Sequence, residues 1–162
     1  IWNVEDIPAA SAPFRPISLR IKNRSGKAVD TVRSMESVTV EFEYQLDAPV
    51  TGLRVGMYLS TIRGEYVFTS FDTDAPELFE KFDSRKSGRY ISRAEIPADI
   101  FNEGRYTIGV NASSFGVRRY FMDENAIAFN VDITGAPGMH WAEPRVGPVR
   151  PRLNWAIEKI GD

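Results

Sequence analysis

Six polar residues stand at alternating positions in or beside short apolar runs: Arg54, Tyr58, Ser60, Thr69, Asn111 and Asn130. Tyr58 and Ser60 alternate with Met57 and Leu59, Asn111 follows Val110, and Asn130 sits between Phe129 and Val131. Successive side chains of a strand point to opposite faces, so burying the apolar set leaves these groups on a wet face. Neutral amides and hydroxyls beside an aromatic ring suit a sugar, whose hydroxyls exchange hydrogen bonds while its C–H face lies on the ring. Each such bond contributes about 1 kcal/mol net. Three or four of them with one stacking contact give about −4 to −8 kcal/mol, which is millimolar to micromolar affinity. Phe115 supplies a stacking lip, and Arg54 a guanidinium suited to a phosphate or an acidic sugar cap. The same residue types are ordinary on any exposed sheet face, so polarity alone does not assign the function.

Catalytic chemistry has few footholds. His140 is the only histidine and lies in a proline-rich tail, where it reads as exposed or packed on the tail. A histidine-based triad or a multi-histidine metal site therefore cannot be assembled within the chain. No G-x-S-x-G and no G-x-x-x-x-G-K-[ST] occurs. Paired carboxylates remain at Asp72/Asp74, at a strand end, and at Asp123-Glu124, in a turn. A glycosidase needs two such groups facing each other about 5–9.5 Å apart across a cleft. Simpler roles account for both pairs. Asp74-Ala75-Pro76-Glu77 has the form of a capping box opening a short helix at about 75–82, and Asp123-Glu124-Asn125 is turn chemistry. Asp72/Asp74 offer oxygen ligands to Ca²⁺, but no EF-hand-like spacing supports a site, and no metal is expected.

Arginines 89, 93, 105, 118 and 119 read as solvated strand faces offset by nearby carboxylates. Only Arg118-Arg119, beside Phe115 and Tyr120, interleaves basic and aromatic groups as nucleic-acid binders do. The formal net charge of -2 argues against a nucleic-acid partner. The chain has 162 residues, 43% apolar and 26% charged, which fits one folded domain and argues against disorder. Without cysteine, disulfide scaffolds, thiolate metal sites and cysteine nucleophiles are excluded. No apolar run approaches the length of a membrane span, and the start at Ile1-Trp2-Asn3 has neither an initiator Met nor the layout of a signal peptide. It reads as a domain cut from a longer protein.

The elements that must position these residues are strands. Residues 1–15 read as a linker rich in Ala, Pro and Ser, with Trp2 and Phe14 able to dock on the domain. Period-2 alternation marks 17–22, 38–46 and 53–60, the last forming a hairpin with 66–71 through Arg63-Gly64. The facing of 66–71 stays open: either Tyr66 and Phe68 or Val67 and Phe71 point inward. Further strands are expected at 88–96, 105–111 and 127–132, with one helical turn at Pro97–Phe101. Seven or eight short strands and no long helix give an all-β fold, an antiparallel β-sandwich of jelly-roll or immunoglobulin-like type over 16–134. Residues 135–162 form a proline-rich extension that can pair only as an edge strand or lie extended. The binding surface is then the wet face of the sheet holding 53–60, 66–71, 104–111 and 125–133.

Four stretches together carry a resemblance. They are Leu53-Arg54-Val55-Gly56 with its hairpin to Tyr66-Val67-Phe68-Thr69-Ser70; Gly88-Arg89-Tyr90 through Ile96-Pro97 to Glu103-Gly104-Arg105-Tyr106-Thr107-Ile108-Gly109-Val110; Phe129-Asn130-Val131; and Gly147-Pro148-Val149-Arg150-Pro151-Arg152-Leu153-Asn154-Trp155. Their order and spacing over about 15–156 resemble the C-terminal domain of the ATP-binding subunit of O-antigen polysaccharide ABC transporters, of Wzt type. One departure is Arg63 before Gly64, where an acidic residue is usual.

The resemblance implies a jelly-roll-like sandwich without ATPase activity. It implies binding of the finished, often modified non-reducing end of a lipid-linked polysaccharide, coupled to export by a membrane-spanning transporter subunit. The place is the cytoplasmic face of the inner membrane. It further implies a homodimer exchanging its C-terminal segment through Val149, Leu153 and Trp155, and no cofactor here, ATP belonging to an upstream domain. Related modules are also fused to glycosyltransferases and methyltransferases. The rival readings are a sandwich that only dimerises, a sugar-processing enzyme using Asp72 and Asp74, and a nucleic-acid-binding barrel.

Overall fold

The computed structural model describes residues 1–141 and 143–161. Its elements in chain order are β1 (Phe14–Lys22), β2 (Thr31–Arg33), β3 (Val38–Leu46), β4 (Val50–Thr51), β5 (Leu53–Thr61), β6 (Tyr66–Phe71), α1 (Pro76–Phe82), β7 (Ser84–Arg85), β8 (Gly88–Ile96), β9 (Gly104–Ser114) and β10 (Arg118–Asp132). A three-stranded sheet, β1-β3-β8, packs on a five-stranded sheet, β2-β10-β9-β5-β6, and β4 and β7 form a separate pair. The β-sandwich expected from the alternation is the observed architecture. All pairings are antiparallel except β10 with the short β2, which is parallel.

Alternation explains the core. Val38, Val40, Phe42, Tyr44 and Leu46 of β3 face Leu53, Val55, Met57 and Leu59 of β5 and Tyr106, Ile108, Val110 and Ala112 of β9, all buried. Fully burying each large apolar side chain contributes about 1.5–3 kcal/mol. Aromatic rings fill one end: Phe14 stacks on Tyr44 and on Phe121, with centroids 5.0 and 6.1 Å apart. Trp2 joins them at 5.6 Å from both Phe42 and Phe121. Its indole Nε1 donates to Asp123 Oδ2 at 3.0 Å, and its backbone N–H donates to Ile17 O at 3.1 Å. The first strand begins at Phe14, ahead of the alternation at Ile17.

Four local expectations need correction. The helix forms where expected, but its N-cap is Ala75 and no side chain caps it. Asp74 turns back instead, and its Oδ2 accepts from the Phe71 N–H at 2.9 Å and the Ser70 hydroxyl at 3.4 Å. The Asp123-Glu124-Asn125 stretch is not a turn between strands. It is a bulge within one continuous 15-residue strand, β10, whose register against β9 shifts between Asp123 and Ile127. Residues 97–101 bend without a helical turn: Asp99 adopts φ 63° and its N–H donates to Ser34 O at 2.7 Å. Finally, neither expected facing of 66–71 occurs. Val67 and Phe68 pack on the core, whereas Tyr66 and Phe71 lie on the outer face, because the pairing of β5 with β6 slips between Leu59 and Ser60.

The proline-rich extension docks on its own domain as far as Arg150. Val149 bridges Phe101, flanked by Arg150 N–H to Ile100 O at 2.7 Å and Asn102 N–H to Pro148 O at 3.1 Å. The buried Asn102 amide donates to the carbonyls of Arg145 and Gly147, both at 2.8 Å. The Tyr106 hydroxyl, whose pKa burial pushes up, lies 2.7 Å from Pro148 O. Beyond that point Leu153, Trp155, Ile157 and Ile160 stand exposed on the single chain.

Candidate functional site

Tyr58 stands on the outer face of the five-stranded sheet, on β5, one strand in from the edge strand β6. It stands opposite Gly109 of β9 and Thr69 of β6. Gly109 is glycine for a steric reason. The backbone of the β10 bulge crosses directly above it, and a Cβ there would lie 2.7 Å from the Glu124 carbonyl oxygen. The bulge thus rises from the sheet beside the Tyr58 ring, which meets Tyr66 edge-on at a centroid separation of 6.0 Å.

Two hollows flank Tyr58. One, of about 370 Å³, is lined by Arg54, Tyr58, Phe71, Asn111 and Phe115 among others. The other, of about 250 Å³, is lined by Tyr58, Ser60, Tyr66, Thr107, Glu124 and Asn125 among others. In the first, the Arg54 guanidinium carbon lies 4.1 Å from the Phe71 ring centroid and 4.5 Å from that of Phe115. Among the described residues Arg54 has no carboxylate partner, and its buried Nε has no hydrogen-bond partner. Aromatic faces hold the cation without neutralising it, so its charge is available to an anionic ligand. Phe115 is 78% exposed at the rim.

Of the seven residues expected to bind sugar, five therefore converge around a sixth, Tyr58. Arg54, Asn111 and Phe115 share one hollow with it, and Ser60 shares the other. Thr69 lies exposed beside Tyr58 on the edge strand. Asn130 does not join them. It sits on β10 against Arg105, and its Oδ1 accepts from Arg105 Nη1 at 3.2 Å. Asn111 is not the exposed group that alternation implies. It is 6% exposed, walled by Gly56 on β5 and Met122 on β10, and forms floor rather than platform. Phe71, Tyr66, Glu124 and Asn125 were missed. Phe71 has a signal in retrospect: it covers Gly56, where a Cβ would come within 2.4 Å of its ring.

The other candidates have structural employment. Asp72 Oδ1 accepts from the Val55 N–H at 3.0 Å and from Arg85 Nη2 at 3.0 Å. Its Oδ2 accepts from the Ser92 hydroxyl at 2.8 Å and pairs with Arg85 Nη1 at 2.9 Å. Arg85 is 3% exposed and also donates to the carbonyls of Phe82 and Leu53. Burial works against its charge, and Asp72 and the Tyr44 phenol more than offset that, leaving its pKa raised. Burial likewise pushes the Tyr44 phenol up. Asp72 is thus a latch tying β5, β7 and β8 together. Arg118 covers the Tyr120 ring at 4.8 Å and donates to the carbonyls of Ala10 and Ala12, binding the N-terminal segment. Arg89 and Arg93 pair with Glu43 and Glu41. Among the described residues no group of three or more acidic or histidine side chains is placed to hold a metal ion, and no helix is long and apolar enough to cross a membrane.

The sequence matches the family model of the Wzt C-terminal domain over residues 15–141. Among solved structures, the crystal structure of the C-terminal domain of wzt superposes with a TM-score of 0.67 at 10% identity, covering 90% of this chain and 84% of that one. A Pseudomonas fluorescens alkylpurine DNA glycosylase, AlkC, bound to DNA with an abasic site analog, matches with a TM-score of 0.46 at 15% identity over 74% of this chain and 30% of its own. That second likeness is too slight to argue from. No individually curated protein matches the sequence. At such identities the structural likeness speaks for the fold, while the family match spans most of the chain. Wzt C-terminal domains are non-catalytic carbohydrate-binding domains of O-antigen ABC-transporter ATPases. On the strength of that match, this chain belongs to the Wzt C-terminal domain family.

Proposed function

We propose that the outer face of β9, β5 and β6 binds the non-reducing end of an O-antigen polysaccharide, with Tyr58 as its central plate. The observation that carries this reading is the arrangement around that ring. A hydroxyl-rich hollow lies on one side, and on the other a guanidinium held between two aromatic rings that lacks a carboxylate partner among the described residues. Sugar C–H groups lie against Tyr58. Ser60, Thr107 and Asn125 exchange hydrogen bonds with hydroxyls. Arg54 meets an acidic sugar or a phosphate-type terminal modification. No bond is made or broken, because the groups that line the face bind and orient without a nucleophile and base in partnership.

In the parent protein an ATPase domain lies upstream, and occupancy of this face reports chain completion to the membrane-spanning subunit on the cytoplasmic side of the inner membrane. Two copies associate through the end of the extension. Val149 is the pivot, and Leu153 and Trp155 seek the partner's surface, which explains their 63% and 86% exposure on the single chain. Titration with the host's own O-polysaccharide, followed by calorimetry or glycan array, tests the reading. Saturable binding that Tyr58→Ala removes while the dimer persists supports it. A protein that dimerises and binds no glycan leaves the association module standing instead.

A further inference from the structure

A third hollow lies not on a sheet face but between the sheets. Val40, Phe42 and Ala94 line it from the three-stranded sheet, and Val55, Met57 and Val110 from the five-stranded one. Its volume is about 300 Å³, within the range of small-molecule sites. It opens at the flank where β6 ends at Phe71 and β8 forms the other sheet's edge. Helix α1 stands at this mouth with no buried residue and no side-chain cap. Leu78 of that helix lines the hollow yet is 42% exposed. A sandwich of this size ordinarily closes such a space with side chains at crystal-like density.

We propose that this inter-sheet hollow takes an alkyl or aromatic moiety that carries no negative charge, with α1 as its cover. The lining fixes the apolar character, and the rim fixes the charge. Asp72 at the rim is neutralised by Arg85, and Arg93 by Glu41. Among the described residues Asp74 is bonded only to a backbone N–H and a hydroxyl and has no cationic partner, so it remains an uncompensated carboxylate at the mouth. An alkyl carboxylate entering here brings like charges together, whereas an alcohol head finds acceptors. The site is separate from the Tyr58 face and does not depend on its glycan reading.

The test is an amide-resolved NMR titration of the intact chain with octan-1-ol and, separately, octanoate. Octan-1-ol is expected to shift the amides of Val55, Met57, Leu78 and Ala94, and octanoate to bind about threefold or more weakly, a gap that Asp74→Asn narrows. Ala94→Leu, which fills the hollow from β8, is expected to weaken octan-1-ol about tenfold or more while raising Tm. Should that variant misfold, Leu78→Ser at the exposed mouth weakens binding without touching the core. Tyr58→Ala leaves octan-1-ol binding unchanged. Absence of shifts at those four amides, undiminished binding by a folded Ala94→Leu, or octanoate binding as tightly as octan-1-ol overturns the proposal.

Discussion

The Arg54 guanidinium lies 4.1 Å from the centroid of the Phe71 ring, and that same ring covers the bare backbone of Gly56 on the neighbouring strand. Strand β6 thus supplies the plate that positions a cation projecting from β5. Arg54→Gln removes the charge and leaves the strand intact. The expected outcome is glycan affinity lower by about tenfold, or about 1.4 kcal/mol, with Tm little changed, read by calorimetric titration beside a thermal melt.

Phe71→Ala separates support from charge. Arg54 stays, yet loses one of its two rings, and the side chain samples more orientations. Affinity is expected to fall by a few-fold, about 1 kcal/mol. The loss in the double variant with Arg54→Gln should be smaller than the sum of the two, because the residues act through one contact.

Gly109→Ala places a methyl group where the Glu124 backbone passes, at 2.7–2.9 Å from three of its atoms. The bulge cannot yield as a flexible side chain would. Destabilisation of about 1–3 kcal/mol is expected in denaturant unfolding. Weaker glycan binding should accompany it, since the displaced bulge walls the second hollow.

Asp72→Asn leaves the buried Arg85 cation without its counter-charge. About 3 kcal/mol of stability is expected to be lost in urea titration, in keeping with the cost of breaking rather than replacing a mostly buried pair. Neither the parent chain nor the variant should hydrolyse glycosides. Turnover abolished by this substitution would reinstate the enzyme reading.

Acid should weaken the three-stranded sheet through Glu41. The Lys22 ammonium and the Arg93 guanidinium hold its carboxyl below the usual 4.5. A carboxyl with a depressed folded pKa contributes stability that is present above its unfolded value, and that is lost as pH falls below 4.5 through the lower folded value. Glu41→Gln is therefore expected to flatten the decline of Tm on acidification in that window and to lower Tm at neutral pH.

Strand positions and their buried faces were readable because one dry face imposes strict alternation, as Val38 through Leu46 show. What alternation conveys is facing within a regular ladder, and it fails wherever the ladder slips. The slip between Leu59 and Ser60 put Tyr66 and Phe71 outside together, and the bulge at 123–127 turned a supposed turn into the wall of a hollow. Burial by neighbours is equally illegible in period-2 logic: Asn111 faces outward but is covered from both flanking strands. The pairing of Asn130 with Arg105 depends on cross-strand register, which no single strand encodes. Asp74 had the right spacing for a cap, yet its carboxylate found nearer donors in the preceding strand. The convergence of Arg54, Tyr58 and Ser60 was legible because all three lie on one strand, β5.

Trp2 is wedged against Phe42 and Phe121 and hydrogen-bonded to Asp123. Asp123 immediately precedes Glu124 and Asn125, which border the hollow beside Tyr58. Trp2 is therefore fastened to the residue next to the wall of the cleft rather than to a remote corner. One indole thus serves two ends, closing the aromatic end of the core and bracing the residue from which the cleft's rim departs.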